Sequence, residues 1–423
     1  MSGVDHAYAD CLDRIFESFF ESRPARAGRH DRETRDPRII LDIARAEGLL
    51  PAPGRTLRIT GSKGKGTVAR LAAAWLGAQP APGLGRIGLF VSPNEVEQRD
   101  RIRIDGEPIG EADFVRIYES LEPRLRRAAS SLREGQYLSP FGTFLLIALA
   151  WFRENGVDWF VLEGGRGAAY DEVGRLPGDV AVVTSIFLEH AQQIGPELRD
   201  VALNKMAIAE GAKATVLGPD VPAVLDRLGL ELPQGAAVVA PPPAGGDLPG
   251  WCRLDLDIAD TACRKLLALN GLRPLPAEVP IVTASFGQVA FEGRPLVYDA
   301  TISFPAFDRE HFAGLRRKHP RLLVVLSLSD QKDAAPFLAH FETEDVTIAP
   351  IALTGLDLHT YHRLERDPRL AGRVGFTDAA GLEALLRRLV AQHRPDLVYM
   401  LGIQPFVRLC KQMPSLASGM PSK

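Results

Sequence analysis

The chain has 423 residues, 46% of them hydrophobic and 24% charged, with a formal net charge of −3. That length predicts more than one domain, the composition is that of a soluble globular protein with a large core, and the charge supplies no overall basic field for nucleic acid. Four scattered cysteines (Cys11, Cys252, Cys263, Cys410) read as buried reduced thiols without a C-x-x-C pair, and the absence of a signal-like or membrane-length apolar run predicts a cytoplasmic protein with no membrane partner.

Along the chain, short apolar runs bounded by turn residues alternate with longer helical patterns. Strands are predicted at 57–60, 87–92, 159–164, 180–187 and 214–219, with helices at 111–132 and 141–155 among those between them. The alternation predicts a parallel sheet with helices on both faces. A Pro/Gly-rich loop occupies 232–250, one helix follows at about 257–270, and 270–280 reads as linker. From about 297 the alternation resumes, with strands at 295–300, 321–329, 346–353, 372–377 and 397–402, which predicts a second, smaller α/β domain. Residues 411–423 read as a disordered tail, and there are no internal repeats.

Chemistry concentrates where the predicted strands end. Gly61-Ser62-Lys63-Gly64-Lys65-Gly66-Thr67 follows a strand and opens a helix, so free backbone N–H groups and the helix dipole converge on an anion. Its three glycines admit close approach by phosphate oxygens, and Lys65 neutralises the terminal phosphates; the alternative is a glycine-rich turn with two surface lysines. Glu163 finishes an apolar strand, where an acid requires a cation, either a metal or a salt-bridge partner. Taken alone, a serine placed like Ser92 is more often a turn former, a histidine like His190 more often structural, and a helix lysine like Lys205 usually a solvated face residue.

The loop resembles that of the Mur ligase superfamily, and "GSKGKGT" most resembles the folylpolyglutamate synthase-like branch. The chain is similar to that branch at "SPNEVEQRDRIRIDGEPIGEADF" (92–114), at Glu163, Gly165, Gly167 and Asp171 of an E-x-G-x-G-G-x-x-D stretch, at Glu189-His190 and at Lys205. The resemblance implies a P-loop parallel-sheet ATPase domain over 1–277, a linker at 278–296 and a smaller Rossmann-like ligase domain over 297–410. It also implies ATP on residues 61–67 with Asp299 contributing, and two Mg²⁺ ions on Ser92, Glu163, His190 and Lys205. Lys205 is then a lysine carbamate formed from CO₂, and Lys65, His190 and Lys205 are the catalytic residues. The implied activity is an ADP-forming ligase that activates a carboxylate as an acyl phosphate and couples it to an amine or amino acid, as a monomer acting on small molecules.

The sequence also departs from the branch's pattern. Asn94 replaces a histidine, Glu172-Val173 replaces Thr-Asn, and Ser139-Pro140-Phe141-Gly142 lacks the acid of a Thr-x-Phe-Glu stretch. The changes at Asn94 and at Phe141-Gly142 fall on the wall for the acceptor, so a carboxylate other than pteroyl-glutamate is expected. In the C-terminal domain Asp299 matches, Ile302 and Ser303 stand at His and Asn places, Gln288 follows Gly287 where an arginine is expected with Arg294 as a substitute, and Gln331 precedes Lys332-Asp333. Two other classes of function stay open: a nucleotide-binding scaffold that supports a partner enzyme, and a kinase that releases a phosphorylated small molecule.

Overall fold

The computed structural model describes residues 3–79, 84–243, 248–281, 283–300, 304, 307–328, 333–344, 346–354, 367–370 and 372–413. They divide into two compact units, Met1–Pro242 with Trp251–Val282 and Pro243–Gly250 with Thr283–Lys423. Among the described residues, no helix is long and apolar enough to cross a membrane. The four cysteines are buried and free.

In the first unit the strands are β1 (Thr56–Thr60), β2 (Arg86–Phe90), β3 (Ile102–Ile104), β4 (Glu107–Pro108), β5 (Val157–Glu163), β6 (Val180–Val183), β7 (Ala214–Leu217) and β8 (Ala237–Val238). They form one sheet in the order β4-β3-β2-β5-β1-β6-β7-β8. The pairs from β2 through β8 are parallel, and β3 and β4 add antiparallel at one edge. β1 and β6 are buried along their length and β5 from Trp159 onwards, as expected of a parallel sheet covered on both faces. On one face, helices Gly3–Glu21, Arg38–Ala46, Glu111–Ala129 and Pro140–Glu154 enclose a core rich in Phe114, Phe144, Phe152 and Leu145. On the other, helices Lys65–Gly77 and Gly250–Ala268 bury Leu71, Trp75, Ile258 and Leu266.

Register places the working ends together. Thr60 pairs with Val183, Ile59 with Glu163 and Phe90 with Leu162, so the loops starting at Gly61, Val91, Gly164 and Thr184 leave one edge of the sheet. This is the carboxyl edge, where open α/β sheets bind ligands.

The second unit has β9 (Phe286–Phe291), β10 (Arg294–Asp299), β11 (Leu322–Ser327), β12 (Thr347–Leu353), β13 (Gly375–Thr377) and β14 (Leu397–Gly402), ordered β13-β12-β11-β14-β10-β9. Only β9 runs antiparallel, as a hairpin with β10. The stretch 278–296 expected as linker therefore contains an edge strand. Its pattern, Phe286-Gly-Gln-Val-Ala-Phe291, buries Phe286 and Phe291 at its two ends and is too polar between them to stand out in sequence. Residues 411–412 likewise end helix Gln404–Gln412 instead of beginning a tail, while 302–303, 331–332 and 414–423 lie outside the described residues.

Phe144 is fully buried, packs its ring against Phe16 and Phe114, and carries the Arg101 guanidinium over its face at 4.9 Å. Phe144→Ala is expected to lower unfolding free energy by about 3–5 kcal/mol in urea titrations.

Candidate active site

The segment after β1 turns into helix Lys65–Gly77 through two glycines in conformations that L-residues avoid, Gly61 at φ 148° and Gly64 at φ 87°. A side chain at 61 would collide with the Thr184 hydroxyl, and one at 64 would stand 2.6 Å from Asp255 Oδ1. The loop is stitched to the residues after β6. Ser62 N–H donates to the Ser185 carbonyl (2.8 Å), Lys63 N–H to Ser185 Oγ (2.9 Å), and the hydroxyls of Thr184 and Ser185 donate to the Lys63 carbonyl (2.5 and 3.1 Å). The N–H groups of Lys65, Gly66 and Thr67 open the helix, where no carbonyl of the helix itself can accept from them. The turn is thus held in shape by its neighbours while a row of donors stays at the helix mouth.

Gly66, between the lysine and the threonine, is explained by Glu163. A Cβ at 66 would lie 3.2 Å from Glu163 Oε2 and 3.3 Å from Arg70 Nη1. The short loop therefore brings a buried carboxylate against the Gly61–Thr67 turn. Glu163 is 2% exposed and accepts the Ser92 backbone N–H at 2.9 Å. Burial pushes its carboxyl above the usual carboxylate range, opposed by the Lys65 ammonium, the Ser92 N–H and the guanidinium groups of Arg70 and Arg101.

Two ammonium groups converge on one carbonyl. Lys65 Nζ donates to the Gly61 oxygen at 2.9 Å and Lys205 Nζ to the same oxygen at 3.0 Å. Lys205, which spacing alone would leave in solvent, is 0% exposed and pairs with Glu189 Oε1 at 2.8 Å. Helix Leu198–Met206 turns it inwards while leaving Leu203 in solvent. Burial and the neighbouring Lys65 charge pull its amine down to about 8 from 10.5, against the carboxylates of Glu189 and Asp171.

His190 follows Glu189 with φ 49°, a left-handed conformation, and its half-exposed ring places Nε2 3.7 Å from Glu189 Oε2. Partial burial depresses its pKa, and the cations Arg166, Lys205 and Lys65 add to that effect against Glu189. Behind this layer, Asp171 accepts from the Gly165, Val173 and Gly174 N–H groups (3.0, 3.1 and 3.3 Å). Arg166 forms a fork with Asp31 (3.0 and 2.5 Å), whose own N–H donates to the Gln193 carbonyl.

Of the residues singled out in sequence, 61–67, Ser92, Glu163, His190 and Lys205 all lie on this one edge. Asp299 belongs to the other unit, at the end of β10, where it is buried and accepts the Tyr399 hydroxyl at 2.6 Å. Arg294, considered as a stand-in for the arginine missing after Gly287, begins the strand that Asp299 ends. Five steps of extended chain set their backbones about 16 Å apart.

Sequence reasoning missed Asp255, a buried acid on helix Gly250–Ala268 that accepts from Thr67 and faces Lys63, and whose carboxyl burial pushes well above the usual range. Its signal was an acid at a core position of that helix. Arg35 and Asp31 were missed because "RHDRETRDPR" reads as a solvated charge run.

Among the described residues, no three His, Cys, Asp or Glu side chains converge as a metal cluster. Mg²⁺ keeps several waters and takes few protein ligands, often alongside substrate phosphates. Glu163, buried with only partial compensation beside the glycine loop, fits such a cation. Lys205 as an ammonium does not; only an anionic form could ligate.

No family profile matches the chain. Curated relatives include the dihydrofolate synthase/folylpolyglutamate synthases of Mycobacterium tuberculosis, 32% identical over 222 residues (49% of this chain, 45% of that protein), and of Escherichia coli, 30% identical over 189 residues (44% and 42%). Over the matched residues the chain is similar to folylpolyglutamate synthases. The sequence match spans less than half the length of these relatives. Among solved structures, an FPGS–AMPPCP complex aligns with TM-score 0.71 at 18% identity, over 96% of this chain and 98% of that one. The Mycobacterium tuberculosis folylpolyglutamate synthase complexed with ADP and AMPPCP aligns at 0.68 and 19%, over 94% and 98%. At those identities the structures establish the fold, α/β with two parallel-rich sheets, as the sequence predicted.

The depressed amine of Lys205 has a measurable consequence. Between pH 8 and 10.5 the unfolded chain holds a proton at this residue that the folded chain has released, so its contribution to stability rises with pH across that window. Wild-type Tm is expected to gain on that of Lys205→Met from pH 8 to 10, with no such trend from pH 6 to 7.5; a constant difference throughout would contradict the shift.

Proposed function

We propose that this protein is an ATP-dependent, ADP-forming ligase that joins a substrate carboxylate to an amine. The observation that carries the reading is the Gly61–Thr67 loop with Glu163 pressed against Gly66 and two lysines meeting at the Gly61 carbonyl. The loop N–H groups and Lys65 bind the β- and γ-phosphates of ATP and neutralise them. A carboxylate oxygen attacks the γ-phosphorus as the bond to the ADP oxygen breaks, which gives an acyl phosphate and ADP. The amine nitrogen then attacks the acyl carbon, phosphate departs, and the nitrogen loses a proton. Activation is needed because hydroxide is a poor leaving group, whereas phosphate is a good one. The protein contributes alignment and charge neutralisation.

Glu163 and Ser92, with His190 on the neighbouring loop, would hold Mg²⁺. The ion supplies electrophilic stabilisation of the transferring phosphoryl group. For Lys205 the reading is a carbamate: its amine, near neutrality at about pH 8, adds to CO₂ and releases a proton. Carbamate formation exchanges a cation crowded by Lys65 for an anion that Lys65 and Mg²⁺ attract. The ammonium contact with Glu189 is then lost, so CO₂ and Glu189 compete for this nitrogen. Asp299 is read as a nucleotide-facing residue of the second unit only if Tyr399 releases it.

The acceptor is a small carboxylate and the donor an amine, with an amino acid the proposed choice. Asn94 and Gly142 were the sequence grounds for an acceptor other than pteroyl-glutamate, but the relatives carry folate names, so folates belong in the substrate test. The purified protein with Mg·ATP, bicarbonate, and pools of carboxylates (folates included) and amino acids is expected to yield ADP and phosphate only when both pools are present. Lys65→Ala and Glu163→Ala are each expected to lower turnover by about 100-fold or more. Wild-type turnover in either variant would contradict the assignment, and ATP bound but unconsumed would favour a nucleotide-binding scaffold.

A further inference from the structure

Helix Pro140–Glu154 begins with half of a capping box. Ser139 caps it, accepting the Gly142 N–H at 3.0 Å, but the third helical position, where a glutamate would complete the box, is Gly142. The space is occupied by another acid. A Cβ at 142 would stand 2.7 Å from Glu172 Oε1, 2.8 Å from its Cδ and 2.8 Å from Ile40 Cγ1. Glu172 comes from the turn Glu172–Arg175 after the Gly164–Asp171 loop and is 1% exposed.

This buried carboxylate is matched by one cation from far upstream in the chain. Arg35 Nη2 lies 2.7 Å from Glu172 Oε2, 3.6 Å from Asp171 Oδ2 and 3.5 Å from Ser139 Oγ. Two adjacent buried acids, the serine cap and the arginine thus form one unit. Asp171 in turn holds the N–H of Gly165, two residues beyond Glu163. A carboxylate at this place also suits the partial positive charge of the helix N-terminus.

We propose that Glu172 supplies, across the fold, the acid missing at position 142, and that with Arg35 it is a positioning pair for the loop behind Glu163. The inference rests on the ligase reading only for what that loop positions; the shared slot stands on geometry alone. It also changes the meaning of Gly142. The absence of an acid there is offset by Glu172, so that glycine is no evidence against any class of acceptor.

The test is a cycle of Gly142→Glu, Glu172→Ala and the double variant. Gly142→Glu alone sets two carboxylates in one slot and is expected to lower Tm by roughly 5–10 °C. Adding Glu172→Ala is expected to raise Tm again, so that the second substitution rescues the first. A double variant that falls by the sum of the single losses overturns the shared slot. If Gly142→Glu yields no folded protein, Gly142→Ala is the smaller probe for the same cycle.

The positioning role is read by calorimetric titration of Mg·ATP well below every Tm. Glu172→Ala is expected to bind about 10-fold more weakly, and Gly142→Glu/Glu172→Ala to recover to within about twofold of wild type. With ATP in EDTA, Glu172→Ala and wild type are expected to agree, which a general loosening of the fold would not produce. Equal Mg·ATP affinities in wild type and Glu172→Ala overturn the positioning role. A wild type that binds no Mg·ATP overturns the nucleotide reading instead, and the thermal cycle then decides the shared slot by itself.

Discussion

Two ammonium groups on one carbonyl oxygen set the electrostatics of this protein. Lys65 and Lys205 both donate to Gly61, which puts the nitrogens within about 6 Å of each other at a buried strand end. Like charges at about 4–6 Å repel by about 3–4 kcal/mol at an effective dielectric constant near 20. Glu189 offsets one of them directly, and Glu163 faces Lys65 from the next strand. What relieves such a site most fully is added negative charge in front of it. A nucleotide phosphate would supply that on the Lys65 side, and a carbamate on Lys205 on the other.

The surrounding fold maintains this cluster. The sheet register brings Thr60, Glu163 and Val183 to one edge, the hydroxyls of Thr184 and Ser185 fasten the glycine loop, and buried helix faces keep solvent out. A second layer of ion pairs, Arg35 with Glu172 and Arg166 with Asp31, ties an N-terminal segment to the loop behind Glu163. Removing one partner of a buried pair costs about 3–5 kcal/mol because the other charge is stranded, so these contacts fix a geometry more than they add stability.

How much of this could be read in the sequence depended on how local its cause was. The strand–glycine loop–helix turn was legible because its parts are contiguous, and Glu163 because an acid ending an apolar strand is conspicuous. Lys205 stood out only through the family resemblance: in "LRDVALNKM" its spacing is that of any surface lysine, and its burial comes from packing against strand ends over a hundred residues away. Arg35 hides in a charge run whose buried partner follows 137 residues later. Gly142 looked like a missing acid because the acid that fills its place belongs to another element. In the second unit, β9 buries only the phenylalanines at its two ends and has no continuous apolar run, so it did not stand out from the linker.

The most direct test of the central claim follows oxygen. The protein is incubated with Mg·ATP, bicarbonate, amino acids and carboxylates labelled with ¹⁸O in the carboxyl group, folates among them, and the released phosphate is examined by phosphorus NMR. Transfer of one labelled oxygen into inorganic phosphate, dependent on the amine, is the signature of an acyl phosphate intermediate and is the expected result. Phosphate released without label, or label retained in a stable phosphorylated product, would contradict a carboxylate–amine ligase.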